Sequence, residues 1–561
     1  MEEQEIKNKA YIFALENAIK HNGKASKGAI IGKLIAMNPS IKQNIKDIES
    51  ILDDIIDKVN SLNEEKQLEE LKKLDEARYN SLFEKKEKKM PELPNAIEGK
   101  VVTRIPPEPS KYPHIGHALS FLINYVYAKK YNGRTILRFE DTNPLKASQE
   151  YVDAIYDGLD YIGIKPDEIR FASDDMELLY SYAERLIDEN KAYVCFCDRD
   201  KIAKLRAEGK ECGCREKNSG NNKEEWRKML EGKYQEGECV LRLKGDMKSK
   251  NFVMRDPVIF RIIKQNHFRQ KNKYVVWPMY DFENSIEDSI MGITHILRSN
   301  EFGNMRIELQ NYIKDLLKLS KQTIVQYGRF NIIGGISQGR EIRDLITSGK
   351  VKGWDDPRLV TLKALKRRGI VKETFLELVK QVGLSNTPTN IDWSLISSLN
   401  RKILDDKTPR YFFIKESVEI EIESVDERII QVKNHPTKDL GTRSFKINGK
   451  FIIEKEDYEN FESGKIYRLM DCLNFKKEKD KFLFHSFDYK ELPKNSAIVQ
   501  WLPSSEENIE VRILMPDGNE IKGIGEKYLK ELKEGSIIQF QRFGFCRLDS
   551  KEKMLFVFSH K

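Results

Sequence analysis

The chain has 561 residues, 39% of them hydrophobic and 33% charged, with a formal net charge of +8. That length is too great for one hydrophobic core and implies several domains. No apolar run reaches membrane-spanning length, and Met1-Glu-Glu-Gln-Glu-Ile-Lys7 lacks the apolar core of a signal peptide, so membrane and secreted classes are excluded and a cytoplasmic location is expected.

Residues 1–97 read as a helical extension. Tyr11, Leu15, Ala18 and Ile19 share one helical face, and Ile41, Ile45, Ile48, Ile51, Leu52 and Ile55 share another. The run from Glu64 to Lys89 is rich in Glu and Lys and reads as a solvated helix or connector. Pro91-Glu-Leu-Pro-Asn95 punctuates its end. Next come an apolar, β-branched strand, Val101-Val102-Thr103, and a helix over Ala118 to Ala128. Between them lies Arg104-Ile-Pro-Pro-Glu-Pro-Ser-Lys-Tyr-Pro-His-Ile-Gly-His117. A strand, a tight turn and a helix N-terminus make a phosphate site, because the free N–H groups and the helix dipole both favour an anion. His114 and His117 can donate to phosphates there, and Gly116 permits close approach of a nucleotide. Leu137-Arg-Phe-Glu-Asp-Thr-Asn-Pro144 follows as the next strand and its loop.

From Glu98 to about residue 400 strands and helices alternate, as in an open, mostly parallel sheet. Residues 192 to about 277 have another texture, with clustered cysteines, Gly/Asn-rich turns and short strands near Val240 and Val258. This reads as an insertion between the halves of a nucleotide-binding fold. Its two close pairs, Cys195-x-Cys197 and Cys212-x-Cys214, can enclose one tetrahedral, structural Zn²⁺. Cys239, Cys472 and Cys546 read as ordinary reduced thiols. Beyond Arg401 short strands separated by Gly, Asn and Asp turns read as β-barrel structure, with a hairpin signal at Met515-Pro-Asp-Gly-Asn-Glu520.

His114-Ile-Gly-His117 resembles the HIGH signature of class I aminoacyl-tRNA synthetases. The longer phrase and the Leu137–Pro144 segment resemble the glutamyl/glutaminyl branch. Gly23-Lys-Ala-Ser-Lys-Gly-Ala-Ile-Ile-Gly32, Gly353-Trp-Asp-Asp-Pro-Arg-Leu359 and Phe540-Gln-Arg-Phe-Gly-Phe-Cys-Arg547 extend the resemblance to archaeal glutamyl-tRNA synthetases over nearly the whole chain. The resemblance implies a multidomain α/β plus β protein. It would carry a helical extension at 1–97 and a class I Rossmann core at 98–400, with a zinc-bearing acceptor-binding insertion at about 192–277. Anticodon-binding β-barrels would fill 401–561. Implied partners are ATP with Mg²⁺, glutamate and tRNA(Glu), with tRNA(Gln) an open second acceptor, and the implied state is a monomer.

The same resemblance assigns ATP to Pro107, His114, Gly116 and His117, and the α-ammonium of glutamate to Glu140. It assigns the side-chain carboxylate to Arg104 and Arg298, and a place in the pocket to Tyr280. Arg298 stands where glutaminyl enzymes carry Cys, and Ile324 where they carry Gln. An additional buried cation favours glutamate, since glutamine would leave it unmatched. The second class I signature, KMSKS, is degenerate: it falls on Ile336-Ser-Gln-Gly339, with Gln338 at the lysine position. Arg340 is the expected replacement cation, with Arg343 about one turn beyond. Trp354 to Arg358 matches a block near the tRNA path. Trp501, Arg542 and Arg547 are aromatic or basic residues suited to anticodon bases, although each aromatic alone reads as core. The competing readings are a glutaminyl-tRNA synthetase and a catalytically inactive tRNA-binding relative.

Overall fold

The computed structural model describes residues 3–20, 23–38, 41, 45–83, 90–336 and 338–561. They divide between two compact units, Met1–Lys89 and Met90–Lys561. The Ile45 side chain, the 84–89 end of the charged run and Ser337 lie outside the described residues.

The first unit is helical: α1 (Glu3–Lys20), α2 (Lys27–Met37), α3 (Ile45–Asn60), α4 (Glu64–Leu74) and α5 (Glu76–Phe83). Ala10, Phe13, Ala14 and Ala18 of α1 pack with Leu52 and Val59 of α3 and Leu71 of α4. The charged run is therefore not merely solvated. Leu71 is in the core, and the buried Gln67 amide donates to the carbonyls of Gly23, Val59 and Leu62. Burial pushes the Glu16 carboxyl up, but Lys20, Lys33 and Arg78 outweigh it and hold the group down at about 2.

The second unit opens with parallel strands β1 (Val102–Ile105), β2 (Arg134–Phe139) and β3 (Glu168–Phe171). They are linked by α6 (Ile115–Lys130) and α7 (Gln149–Tyr161), and α8 (Met176–Asp188) follows. The chain then builds a separate antiparallel sheet from β4 (Ala192–Cys195), β5 (Val240–Leu243), β6 (Val258–Ile262) and β7 (Val276–Pro278). Helices α9 (Arg199–Glu208) and α10 (Ser219–Leu230) lie within this excursion. Parallel pairing resumes after α11 (Tyr280–Ile290). Strand β8 (His295–Ser299) leads through α12 (Gly303–Leu317) to its parallel partner β9 (Thr323–Tyr327). The Thr294 N–H donates to the Val102 carbonyl at 3.0 Å, which brings this pair alongside β1. Strand β10 (Phe330–Ile332), α13 (Gly339–Thr347), α14 (Leu362–Arg367), α15 (Lys372–Val382), β11 (Thr389–Ile391) and α16 (Trp393–Leu404) complete this part. Strands β1 and β2 are buried on both faces, and they carry Thr and Arg as well as apolar residues into the interior.

The C-terminal part departs from the expected closed barrels. It contains two seven-stranded sheets, and neither hydrogen-bonded ladder closes. One has Arg410–Tyr411 and Phe413–Ile414 as its edges; the other has Ile498–Val499 and Trp501–Pro503. Each pair of edges is interrupted by a single residue. The Phe412 N–H leaves the ladder to donate to the buried Glu526 carboxylate at 3.2 Å, and the Phe413 N–H faces Gln500 Oε1 at 3.5 Å. Glu526 also pairs with Arg443 at 2.5 Å, the side chains being 0% and 4% exposed.

Glu526→Ala leaves the Arg443 guanidinium buried without its anion and Phe412 without its acceptor. We expect a loss of roughly 3–5 kcal/mol, read by urea unfolding with hydrogen exchange followed across residues 408–561. Unchanged protection there would show that the pair contributes little.

Candidate active site

The loop leaving β1 turns into α6 at His114, whose backbone is extended. His114 Nδ1 accepts the Gly116 N–H at 3.1 Å, and His117 Nδ1 accepts the His114 N–H at 3.2 Å. The two imidazoles thus cap the helix reciprocally, with ring centres 3.9 Å apart. Surrounding protein pushes both imidazoles down, His114 well below its ordinary value and His117 to about 3, with nearby Lys111 acting in the same direction. They are therefore neutral at physiological pH. With Nδ1 accepting, each carries its proton on Nε2, leaving one N–H donor per ring. A methyl group added at Gly116 would stand 2.9 Å from His114 Cε1, so glycine is required first by the His114 ring itself. Segment 359–362 clamps this corner: the Ile115 N–H donates to the Val360 carbonyl and the Leu362 N–H to the Pro113 carbonyl.

These residues line a cavity of about 480 Å³ that also receives Pro107, Lys111, Tyr280 and Gln338. Arg104 and Arg298 also line it. Arg104 belongs to a buried charge network. Asp288 Oδ1 accepts from Arg104 Nε at 3.0 Å and pairs with Arg138 Nη1 at 2.9 Å. Arg138 Nε donates to Glu140 Oε1 at 2.9 Å. Burial would raise the Asp288 carboxyl, but Arg104 and Arg138 outweigh it and hold it below the usual range. Glu283 and Glu287 lack such compensation. Burial, and then the neighbouring Glu140, push the Glu283 carboxyl well up, and burial pushes Glu287 up to about 8. Asp281 and Asp288 both act on the buried Arg298, and Lys314 lies in the same field of charges. Arg298 is held by Gln310, which accepts from Nη1 at 3.0 Å and itself donates to Asp281 at 3.0 Å.

A second cavity of about 630 Å³ shares Pro106, Glu108, Tyr280 and Glu301 with the first and is lined by Glu140. Glu140 Oε2 is buried, and the raised Glu283 carboxyl lies within hydrogen-bonding reach of Glu140, so this is an acceptor-rich pocket suited to an ammonium group. Tyr280, at the start of α11, sits where the two cavities meet.

The structure therefore brings together Pro107, His114, Gly116, His117, Arg104, Tyr280 and Arg298, with Glu140 alongside. It does not bring Arg340 to them. Arg340 lines a depression with Glu341 and Asp344 that shares Gln338 with the first cavity, while Arg343 donates to the Ser110 carbonyl at 3.2 Å. Ile324 packs against the apolar cluster of Val102, Ile136, Ile293 and Ile296 and is absent from both cavity walls, so the argument from that position loses its geometric support. Trp354 stacks on Tyr112 of the histidine loop at 4.8 Å. Trp501 is core, as its apolar setting suggested, with Nε1 donating to the Met470 carbonyl. Arg542 pairs with Asp457, and Arg547 with Asp549. Sequence reasoning missed Asp288. Its signal was three acids, at 283, 287 and 288, sharing a helix with the apolar Phe282 and Ile286.

In the antiparallel excursion the sulfurs of Cys195, Cys197, Cys212 and Cys214 all lie within 4.8 Å of one another. Cys195 and Cys212 are 3.9 Å apart, as are Cys197 and Cys214. Four Zn–S bonds of about 2.3 Å in a tetrahedron put the sulfurs about 3.8 Å apart, so this donor set fits one such ion.

The strand–histidine–helix corner on a parallel sheet defines a class, and comparison with known proteins agrees. The family model for the catalytic domain of class I tRNA synthetases (E and Q) matches residues 100–406, and two models for the anticodon-binding domain match 408–485 and 471–549. The chain belongs to this family. Among its relatives is a glutamate–tRNA ligase of Pyrococcus abyssi, 40% identical over 99% of this chain and 100% of that one. Proteins of the same name from Nitrosopumilus maritimus and Methanosphaera stadtmanae are 39% and 35% identical, over 100% and 99% of this chain and all of theirs. No helix among the described residues is long and apolar enough to cross a membrane.

The neutral, Nε2-protonated imidazoles can be checked by NMR of histidine-labelled protein. The resonances of His114 and His117 should not titrate between pH 8 and pH 5, the window in which an ordinary histidine charges around pH ~6.5. Titration near that value would assign them cationic character.

Proposed function

We propose that this chain ligates glutamate to tRNA in two steps. The α-carboxylate of glutamate attacks the α-phosphorus of ATP, forming glutamyl-adenylate and releasing pyrophosphate. A hydroxyl of the terminal ribose of tRNA then attacks the acyl carbon, and AMP leaves. Neither step needs a protein nucleophile. The protein must align the reacting groups and stabilise charge that spreads over the phosphates.

The observation that carries the reading is a cavity lined both by the two histidines, with their N–H donors, and by the guanidiniums of Arg104 and Arg298, next to a second cavity lined by Glu140. ATP, carrying Mg²⁺, is assigned to the histidine end, with Pro107 and Gly116 in its wall. Glutamate is assigned to the other end. Glu140 Oε2 accepts from its ammonium group, Arg104 and Arg298 attract its side-chain carboxylate, and Tyr280 borders both ends. Full-length relatives named glutamate–tRNA ligase support the same substrate. The guanidiniums of Arg104 and Arg298 also favour glutamate over glutamine, whose neutral amide offers them no opposite charge.

For the domains, we assign 1–97 to a helical extension, 98–400 to catalysis and 401–561 to the anticodon end of tRNA. The excursion at about 192–277 is assigned to the acceptor end. Matches to anticodon-binding models over 408–549 support the third assignment. Zn²⁺ is assigned to the four cysteines, where it would fix the loop carrying Cys212 and Cys214 to the end of β4 and take no part in chemistry.

Two measurements test these assignments. Pyrophosphate exchange in the presence of tRNA should require glutamate and be at least ~100-fold weaker with glutamine, on the scale of rejection by a mismatched buried polar site. Equal exchange with both would displace the glutamate floor, and none with either would favour a tRNA-binding protein without catalysis. Elemental analysis should find about one zinc per chain, lost in Cys212→Ser together with protection of residues 195–214 from protease. Metal-free protein with an intact, active excursion would refute the zinc assignment.

A further inference from the structure

The leaving pyrophosphate needs a cation, and the degenerate second signature provides no lysine. We infer that Lys111 supplies that positive charge, from the histidine loop. This rests on the reading of the cleft as an ATP-dependent synthetase site.

Lys111 lines the same cavity as His114, His117 and Gln338. Among the described residues its ammonium makes no ion pair or hydrogen bond. Its stem crosses directly over the second signature segment. A methyl group added at Gly339 would stand 2.9 Å from Lys111 Cδ and 3.0 Å from its Cβ. Gly339 is buried and starts α13, so the lysine stem occupies space that any side chain at 339 would fill. Gln338, the residue at the usual lysine position, borders the cavity beside it. The cation therefore reaches the cleft from the first signature loop, over a glycine in the second. Arg340, by contrast, does not line this cavity; it lies in the adjoining depression beyond Gln338, with two acids.

The electrostatics fit an anion at this point. Lys111 is half-buried, and burial lowers its pKa; Glu108 opposes this, while Arg343 and Lys146 add to it. A cation confined beside other cations gains most when a polyphosphate arrives. The N-termini of α6 and α13 add their partial positive charge. In the activation step the carboxylate oxygen bonds to the α-phosphorus and the bond to the bridging oxygen breaks. The electron pair departs with pyrophosphate. Lys111 keeps its proton throughout and stabilises that departing charge.

The test compares the full-length wild type with Lys111→Met and Lys111→Arg, with cognate tRNA present. Lys111→Met should lower the single-turnover rate of glutamate activation roughly 100-fold or more. It should also weaken binding of a non-hydrolysable ATP analogue by about tenfold, while KM for glutamate and the thermal midpoint stay near wild type. Lys111→Arg should retain most of the rate, and Gln338→Lys should restore part of it in the Lys111→Met background. Wild-type activation and analogue binding by Lys111→Met would overturn the inference, as would a loss confined to Arg340→Ala. The analogue-binding arm is independent of the amino acid activated. A wild type that binds the analogue but ignores glutamate therefore refutes the glutamate reading, while the Lys111→Met comparison still decides the role of Lys111. Wild type that does not bind the analogue would overturn both.

Discussion

A single carboxylate oxygen, Oδ1 of Asp288, holds the floor of the cleft. Arg104 and Arg138 come from adjacent strands, are almost fully buried, and both converge on it. A buried guanidinium without a partner costs several kcal/mol, so β1, β2 and α11 must meet in one register for the fold to be tolerable. That register fixes the site. It places Glu140 just past the end of β2 and Tyr280 at the start of α11, and it leaves the two neighbouring acids of α11 with their carboxyls pushed up. The polarity of the pocket thus follows from which buried acids find a cation and which do not.

The same register explains why the histidine corner can be neutral and still useful. Both rings spend Nδ1 on backbone N–H groups that a helix start would otherwise leave unsatisfied. Their orientation is set before any ligand arrives, and the remaining N–H needs no reorganisation to meet a phosphate. Preorganised dipoles of this kind stabilise developing charge without the cost of turning.

Much of this was legible in the sequence, because local rules and the site agree there. The apolar runs of β1 and β2, the Pro/Gly turn and the two histidines are short-range signals, and the paired cysteines at small spacing are another. What was not legible depended on distant contacts. Ile324 looked like a specificity position by alignment, yet strand alternation turns it into an apolar cluster away from both cavities. Arg340 looked suitably placed by sequence; at the start of α13 it lines a depression that adjoins the cavity at Gln338. Lys111 carried no signal as a lone lysine in a turn; its meaning comes from Gly339, more than two hundred residues later. In the C-terminal part, alternation announced strands but not that each ladder would stop at one residue.

Those two stops have a consequence for how the C-terminal part fails. An open sheet normally offers two free rims on which a foreign strand can template. Here both rims of a sheet belong to neighbouring peptide units of the same stretch, and Phe413 and Gln500 put the two stretches in touch. A stranger could pair with one rim only by prising away its neighbour, and disturbing one sheet disturbs the other. Partial fraying into a sticky intermediate is thereby suppressed, and loss of order tends to be all at once. In a chain of high charge and many strands, that is protection against self-association during the life of the protein.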